Sequence, residues 1–297
     1  MATCLVCGSS NVTVYLDDAD DDLEISKMGS SRTQISPGTI LRCRECSFAF
    51  RKNRFNDKRL ANLYRKMDPE VYQAEQRGRT RTATTHLRIV SRYAGRNGKR
   101  GELLDVGCAS GIFLGQALDA SWGVTGLEPS EILYKQATER IGARGTILPL
   151  ILEQADFGTR RFDVITLWDV LEHVTNPAEF LKRCRALLRP EGYLLLNVPH
   201  FDSLEARLLG RRWPLLLPEH LNYFNRKSLQ LCAKNCGLDL IRFGRRCSFF
   251  SVQYVLLRLS QHQIPLAGVL SGIAQTAVGR IVVPVSLGET YAVFRNS

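Results

Sequence analysis

The stretch LLDVGCASG (103–111) ends an apolar run on one carboxylate, Asp105, and follows it with small residues that include Gly107 and Gly111. Glycines at such a turn let a ligand approach bare main chain, and a helix starting there offers unsatisfied N–H groups. A dinucleotide pyrophosphate uses the same device. Here, however, the spacing is G-x-x-x-G with no third glycine, and Asp105 would repel phosphate, so the expected ligand is cationic or zwitterionic. Glu128 closes the next apolar run, GVTGLEPS (123–130). It stands where an acid accepts hydrogen bonds from both hydroxyls of a ribose, with capping of the following helix as the alternative.

Cysteines form a second constellation. Cys4 and Cys7 make one Cys-x-x-Cys pair, and Cys43 and Cys46 make another. Four thiolates spaced this way suit tetrahedral zinc, which closes a loop too small to fold on apolar burial alone. With all four positions taken by sulfur, the metal would be structural; free buried thiols are the alternative. Cys108, Cys184, Cys232, Cys236 and Cys247 read as core or surface thiols.

The elements that must position these residues follow from hydrophobic periodicity. It predicts a helix over 70–95, strand 102–106, helix 111–120, strand 123–128, helix 130–140 and strand 162–167. Helix 177–188, strand 193–198, helix 226–236, strand 238–243 and a last strand over 290–295 complete the pattern. Short apolar runs between amphipathic helices predict an α/β fold, a parallel sheet covered on both faces, with ligands at the carboxyl ends of its strands. Asp105 and Glu128 both fall at such ends. S-adenosylmethionine fits them, because its sulfonium and ammonium are positive and its carboxylate can take the N–H groups of the turn.

Four ordered segments, LLDVGCASG, VTGLEPS, FDVITLWDVLEHVTNP and LLRPEGYLLLNVP, resemble the successive signatures of class I S-adenosylmethionine-dependent methyltransferases over about residues 70–200. The resemblance implies a Rossmann-like doubly wound sheet of seven strands, the last antiparallel, here with a small N-terminal zinc-binding module. It places Asp105, Gly107, Cys108 and Gly111 around the methionine part of the cofactor and Glu128 on the ribose. Leu152 and Glu153 would lie near the adenine, and Trp168, Asp169 and Val170 would follow the cofactor along the fourth strand. The chain departs from the pattern at Ala109, where many relatives have glycine. After the fourth strand it has neither the Asn-Pro-Pro-aromatic turn of adenine amino methylases nor the Cys beside Pro of cytosine carbon methylases, so nucleic acid is not the expected acceptor.

The segment RRWPLLLPEHLNYFNRKSLQLCAKNCGL (211–238) resembles the EHLxYF segment of methyltransferases that modify sugars of nucleotides, antibiotics and surface polysaccharides. Members of that branch also often begin with paired Cys-x-x-Cys zinc motifs. Their Glu-His pair lies at the acceptor pocket and maps onto Glu219 and His220. Methyl transfer from a sulfonium is an in-line displacement, so the protein aligns the partners and removes the acceptor's proton. A histidine oriented by a neighbouring carboxylate suits that step; capping or packing of the helix near Arg226 is the alternative for His220. His173 is a second candidate, its alternative being to order the loop beside the cofactor, and Tyr72 and Tyr223 could line the acceptor pocket. The expected acceptor is a small glycosyl or anionic molecule, with the methylated atom left open. The corresponding domains are 1–52 (zinc module), 53–100 (basic linker and helix on the acceptor side), 101–245 (cofactor domain) and 246–297 (apolar helical segment and final strand).

Charge and composition bear on partners and compartment. Residues 47–101 hold fifteen Lys and Arg against four acids, a basic span that reads first as a solvated face and alternatively as a site for RNA or anionic lipid. DDADDDLE (17–24) reads as a solvated acidic loop. The N-terminus lacks the pattern of a secretory signal, and nine cysteines fit a reducing compartment, so a cytoplasmic protein is expected. The uncharged stretch 264–279 contains Pro265 and three glycines, which predicts a buried or interfacial helix and leaves peripheral contact with a membrane open.

Overall fold

The computed structural model describes residues 2–18, 37–54, 75–94, 101–261 and 276–297. In chain order its elements begin with β1 (Val12–Leu16), β2 (Ile40–Cys43), β3 (Ala49–Arg51), α1 (Gln76–Tyr93), β4 (Glu102–Val106), α2 (Ile112–Asp119), β5 (Gly123–Leu127), α3 (Glu131–Ile141) and β6 (Thr146–Leu148). They continue with β7 (Phe162–Leu167), α4 (Pro177–Leu187), β8 (Leu188–Pro199), α5 (Leu204–Leu209), β9 (Asn222–Tyr223), α6 (Arg226–Asn235), β10 (Leu238–Ser251), α7 (Val252–Gln261) and β11 (Val282–Asn296).

Seven strands form the main sheet in the order β10-β11-β8-β7-β4-β5-β6. Strands β4 to β8 pair in parallel, and β11 enters antiparallel between β8 and β10. The chain order reverses between β4 and β7, the place where sheets of this kind open a crevice for ligands. Period-two alternation sorts the central strands onto two cores. Leu104, Ile165, Leu194 and Leu196 face one, while Leu103, Val164 and Leu195 join Val90 of α1 and Leu114 of α2 in the other. Helix starts carry the expected chemistry: Asn176 caps α4 with Pro177 next, and Asn225 and Ser228 exchange hydrogen bonds in a capping box on α6.

The strands are longer than the sequence pattern predicts at 193–198, 238–243 and 290–295. The distal parts of β10 and β11, from Arg242 paired with Val293 out to Ser251 paired with Val282, form an arm that packs on α1. There Glu75 accepts hydrogen bonds from the Ser251 amide and hydroxyl, both at 2.7 Å. Charged and half-exposed residues in this arm hide its strand character, and β10 runs across position 245, where a domain limit was expected. Strand β6, three residues between Gly145 and Pro149, is too short to show a period.

A second sheet, β1-β2-β3-β9, carries the four paired cysteines at its end and takes its last strand from residues 222–223. Most of the stretch 264–279, and Tyr72, lie outside the described residues. Among the described residues no helix is long and apolar enough to cross a membrane.

Candidate active site

A cavity of about 650 Å³ opens at the carboxyl ends of β4, β5 and β7, a size in the range of small-molecule sites. Asp105, Gly107, Cys108, Glu128, Glu153, Trp168, Asp169, Val170, His173 and His220 all line it. Gly111, Leu152 and Glu219 do not reach its wall. Gly111 sits at φ 72° and starts α2 so close to α3 that a side chain would meet Ala137 at 3.1 Å. Leu152 is buried behind the wall, and Glu219 contributes its backbone carbonyl to the His173 ring.

The glycine turn is shaped by backbone that most side chains avoid. Gly107 has φ 74°, and a Cβ there would lie 2.9 Å from Val170 Cγ2, in the lumen side of the turn. Ala109 also occupies the left-handed region, at φ 49°, which accounts for the glycine of many relatives at that position. Its amide donates to Glu128 Oε2 at 2.9 Å, and the Ser130 amide donates to Glu128 Oε1 at 2.8 Å. Glu128 therefore ties the tip of β5 to the glycine turn. Each carboxylate oxygen keeps a further lone pair, so these bonds leave room for two ribose hydroxyls.

Asp105 accepts from Thr166 Oγ1 at 2.7 Å. Burial, with Glu128 nearby, raises its carboxyl to about 7 despite that bond, and burial raises Glu128 to about 7 as well. Burial and the same two acids push the Cys108 thiol well up, which leaves it a neutral lining group.

Across the cavity, Asp169 at φ 57° accepts from Arg246 Nη1 at 3.1 Å and from the Asn197 side-chain amide. Burial raises its carboxyl, but Arg246 and Asn197 outweigh that and bring it down to about 2. Arg246, itself buried, also donates to Glu289 at 2.7 Å, and Ser248 holds the other Glu289 oxygen at 2.6 Å. His86 of α1 stacks on Trp168 with ring centroids 3.8 Å apart. Buried Trp168 Nε1, His86 Nε2 and Glu172 Oε2 have no hydrogen-bond partner among the described residues, and polar atoms left so beside a cavity suit a ligand's own polar groups. Sequence reasoning missed Arg246, Glu289 and His86, and read Glu172 only as the neighbour of His173 in LEHV, ordering the loop beside the cofactor. No motif surrounds the first three, and only their packing against the cavity marks them.

His173 and His220 meet at the other end, with ring centroids 4.7 Å apart. His220 Nδ1 lies 2.9 Å from the Leu215 carbonyl and His173 Nδ1 3.0 Å from the Glu219 carbonyl. A carbonyl only accepts, so each ring carries its hydrogen on Nδ1 and its lone pair on Nε2. The expected carboxylate that orients His220 is thus replaced by a main-chain oxygen. Burial lowers His173 to about 4; burial and the His173 ring lower His220 to about 3. Ligand atoms of Glu172, His173 and His220 lie within 4.8 Å of one another, a set that could also hold a divalent cation. Tyr223 is buried, donates to the Leu217 carbonyl at 3.2 Å and does not line the cavity.

The four N-terminal thiols also gather. Cys4 and Cys46 Sγ are 3.5 Å apart, as are Cys7 and Cys43 Sγ, and all four lie within 4.8 Å. Sulfurs at the corners of a zinc tetrahedron stand about 3.8 Å apart, so the set fits that ion.

Comparisons with known proteins agree with this fold. Residues 74–242 match the family model described as "Methyltransferase domain". The chain is 37% identical over 137 residues to the ubiquinone biosynthesis O-methyltransferase of Actinobacillus pleuropneumoniae serotype 5b (strain L20), which covers 42% of this chain and 58% of that relative. The chain thus spans little more than half the length of that curated relative. Among solved structures, a Bacillus halodurans protein proposed to be a methyltransferase superposes with a TM-score of 0.50 at 17% identity, over 72% of this chain and 98% of its own. The [4+2]-cyclase SpnF also superposes with a TM-score of 0.50, at 16% identity, over 71% of this chain and 80% of its own. These likenesses show the fold alone, since one fold can carry different chemistries. With a family model spanning more than half its length and a seven-stranded sheet of the matching kind, the chain belongs to the S-adenosylmethionine-dependent methyltransferases of class I.

Proposed function

We propose that the protein transfers a methyl group from S-adenosylmethionine to a hydroxyl of a small molecule, a sugar or a glycosylated metabolite. The observation that carries this reading is one cavity with Asp105 and Glu128 at one end and the lone-pair nitrogen of a neutral His220 at the other. The cofactor supplies a methyl on a positively charged sulfur, a good leaving group. Asp105 and Glu128 provide the negative wall that such a cation needs, the Gly107 turn keeps its approach open, and Trp168 and Val170 wall its flank. His220 Nε2 takes the hydroxyl proton, and the charge of Asp169 favours the imidazolium that results. A hydroxyl acceptor is in line with the printed name of the Actinobacillus relative, and the glycosyl class rests on the 211–238 segment. The basic face of α1 supports RNA or a lipid-linked anion as the second reading.

Incubation with methyl-labelled S-adenosylmethionine and cell extract split into nucleotide-sugar, lipid and RNA fractions tests this. Label is expected in the nucleotide-sugar fraction as an ether, with the rate falling by about 10²–10⁴ in His220→Gln while cofactor affinity stays. Label confined to RNA would overturn the glycosyl reading, and an undiminished rate in His220→Gln would remove the histidine from the reaction.

A further inference from the structure

Helix α5 shows solvent an apolar surface that nothing among the described residues covers. Leu204, Leu208 and Leu209 are 62%, 76% and 46% exposed within six residues, where isolated exposed leucines would be unremarked. Leu204 and Leu208 stand one turn apart on the same face. Around them Arg207, Arg211 and Arg212 are exposed with no ion-pair partner among the described residues. The acid of this helix is already engaged, because Glu205 pairs with Arg245 at 2.8 Å and accepts from Ser286 at 2.6 Å.

The helix is anchored, so its outward leucines are not the edge of a loose segment. Ser203 caps it by accepting from the Ala206 amide at 3.1 Å, and Ala206 is buried. Buried Trp213 donates its indole N–H to the Leu287 carbonyl at 2.7 Å. Leu287, together with Pro214 and Leu215 beside that tryptophan, lines the catalytic cavity. The exposed patch and the His220 end of the cavity therefore share a rim.

We propose that α5 and the turn after it dock on an anionic phospholipid bilayer, the three leucines entering the acyl boundary and the three arginines meeting headgroup phosphates. The composition is that of an interfacial segment: exposed leucines beside three arginines whose guanidinium charges complement anionic headgroups and whose long stems let them snorkel while the leucines enter the acyl boundary. Docking in this orientation would turn the acceptor end of the cavity toward the membrane surface.

Co-sedimentation of the full chain with vesicles of phosphatidylcholine alone or with 30% phosphatidylglycerol, about 100 nm across, tests this. Wild type is expected to pellet with the anionic vesicles and to stay mostly in solution with the neutral ones. Leu204→Ser/Leu208→Ser should weaken the partition at least about tenfold, and Arg211→Gln/Arg212→Gln roughly fivefold per charge removed. Far-UV circular dichroism and an unchanged S-adenosylmethionine affinity would show that both variants are folded. The proposal fails if wild type remains in the supernatant at millimolar lipid. It fails equally if the leucine variant pellets like wild type, which would assign any binding to another surface or to charge alone.

Discussion

Asp105 and Glu128 are carboxylates buried in one cavity wall, and among the described residues neither has a cation beside it. That arrangement opposes ionisation, and both groups are raised to about 7. Between roughly pH 4 and 7 the folded chain keeps protons that the unfolded chain has released, so each group lowers stability as pH rises through that window. A cationic ligand reverses the penalty. Thermal melts should therefore show the ligand-free protein losing stability from pH 5.5 to pH 8, and the stabilisation by S-adenosylmethionine growing over the same range; a ligand shift independent of pH would contradict this. Ala109 offers a second test. Its left-handed backbone costs about 1–2 kcal/mol, of which glycine would recover part after its own entropy loss. Ala109→Gly should raise stability by about 0.5–1 kcal/mol in denaturant melts and leave the Glu128 contact, made through the backbone, in place.

At the scale of elements, the arm of β10 and β11 closes the cavity through the chain Asp169, Arg246, Glu289, Ser248. Removing the arginine leaves Glu289 as an uncompensated acid in a buried wall, which costs about 3–5 kcal/mol, and also unpairs the half-exposed Asp169. Arg246→Ala should lower the melting midpoint accordingly, and Arg246→Ala combined with Glu289→Gln should recover part of the loss. The arm also shows where sequence stops being informative. Strands β4, β5 and β7 are buried on both faces and write themselves as continuous apolar runs, so Asp105 and Glu128 could be placed from pattern alone. The arm has one half-exposed face and a charged composition, RFGRRCSFFS, whose meaning comes only from α1 and from Glu289 forty-three residues further on. Arg246 had no local signal for the same reason. His220 was legible through its EHL segment, whereas its orienting partner, a carbonyl five residues away, depends on a turn that sequence does not encode by residue type.

In the whole molecule the cysteine sheet and the acceptor end of the cavity are one structure. Strand β3 pairs with β9, Arg51 donates to the Pro218 carbonyl at 2.6 Å, and Arg54 reaches the Leu221 and Thr175 carbonyls at 3.0 and 2.6 Å. These contacts bracket His220. Cys43→Ser should therefore loosen the 215–223 loop and cut methyl transfer by about tenfold or more, while cofactor affinity changes little, because the β4–β5 wall carries none of those bonds. Equal loss of both would mean that the module supports the whole fold instead. The central claim is that Asp105 and Glu128 select a cationic methyl donor, and calorimetric titration of S-adenosylmethionine at pH 8 tests it most directly. Wild type should bind one equivalent, and Asp105→Asn, which keeps the shape and an acceptor for Thr166 while removing the charge, should bind at least about tenfold more weakly. No heat of binding up to millimolar ligand in folded wild type, or equal affinity in the two proteins, would contradict it.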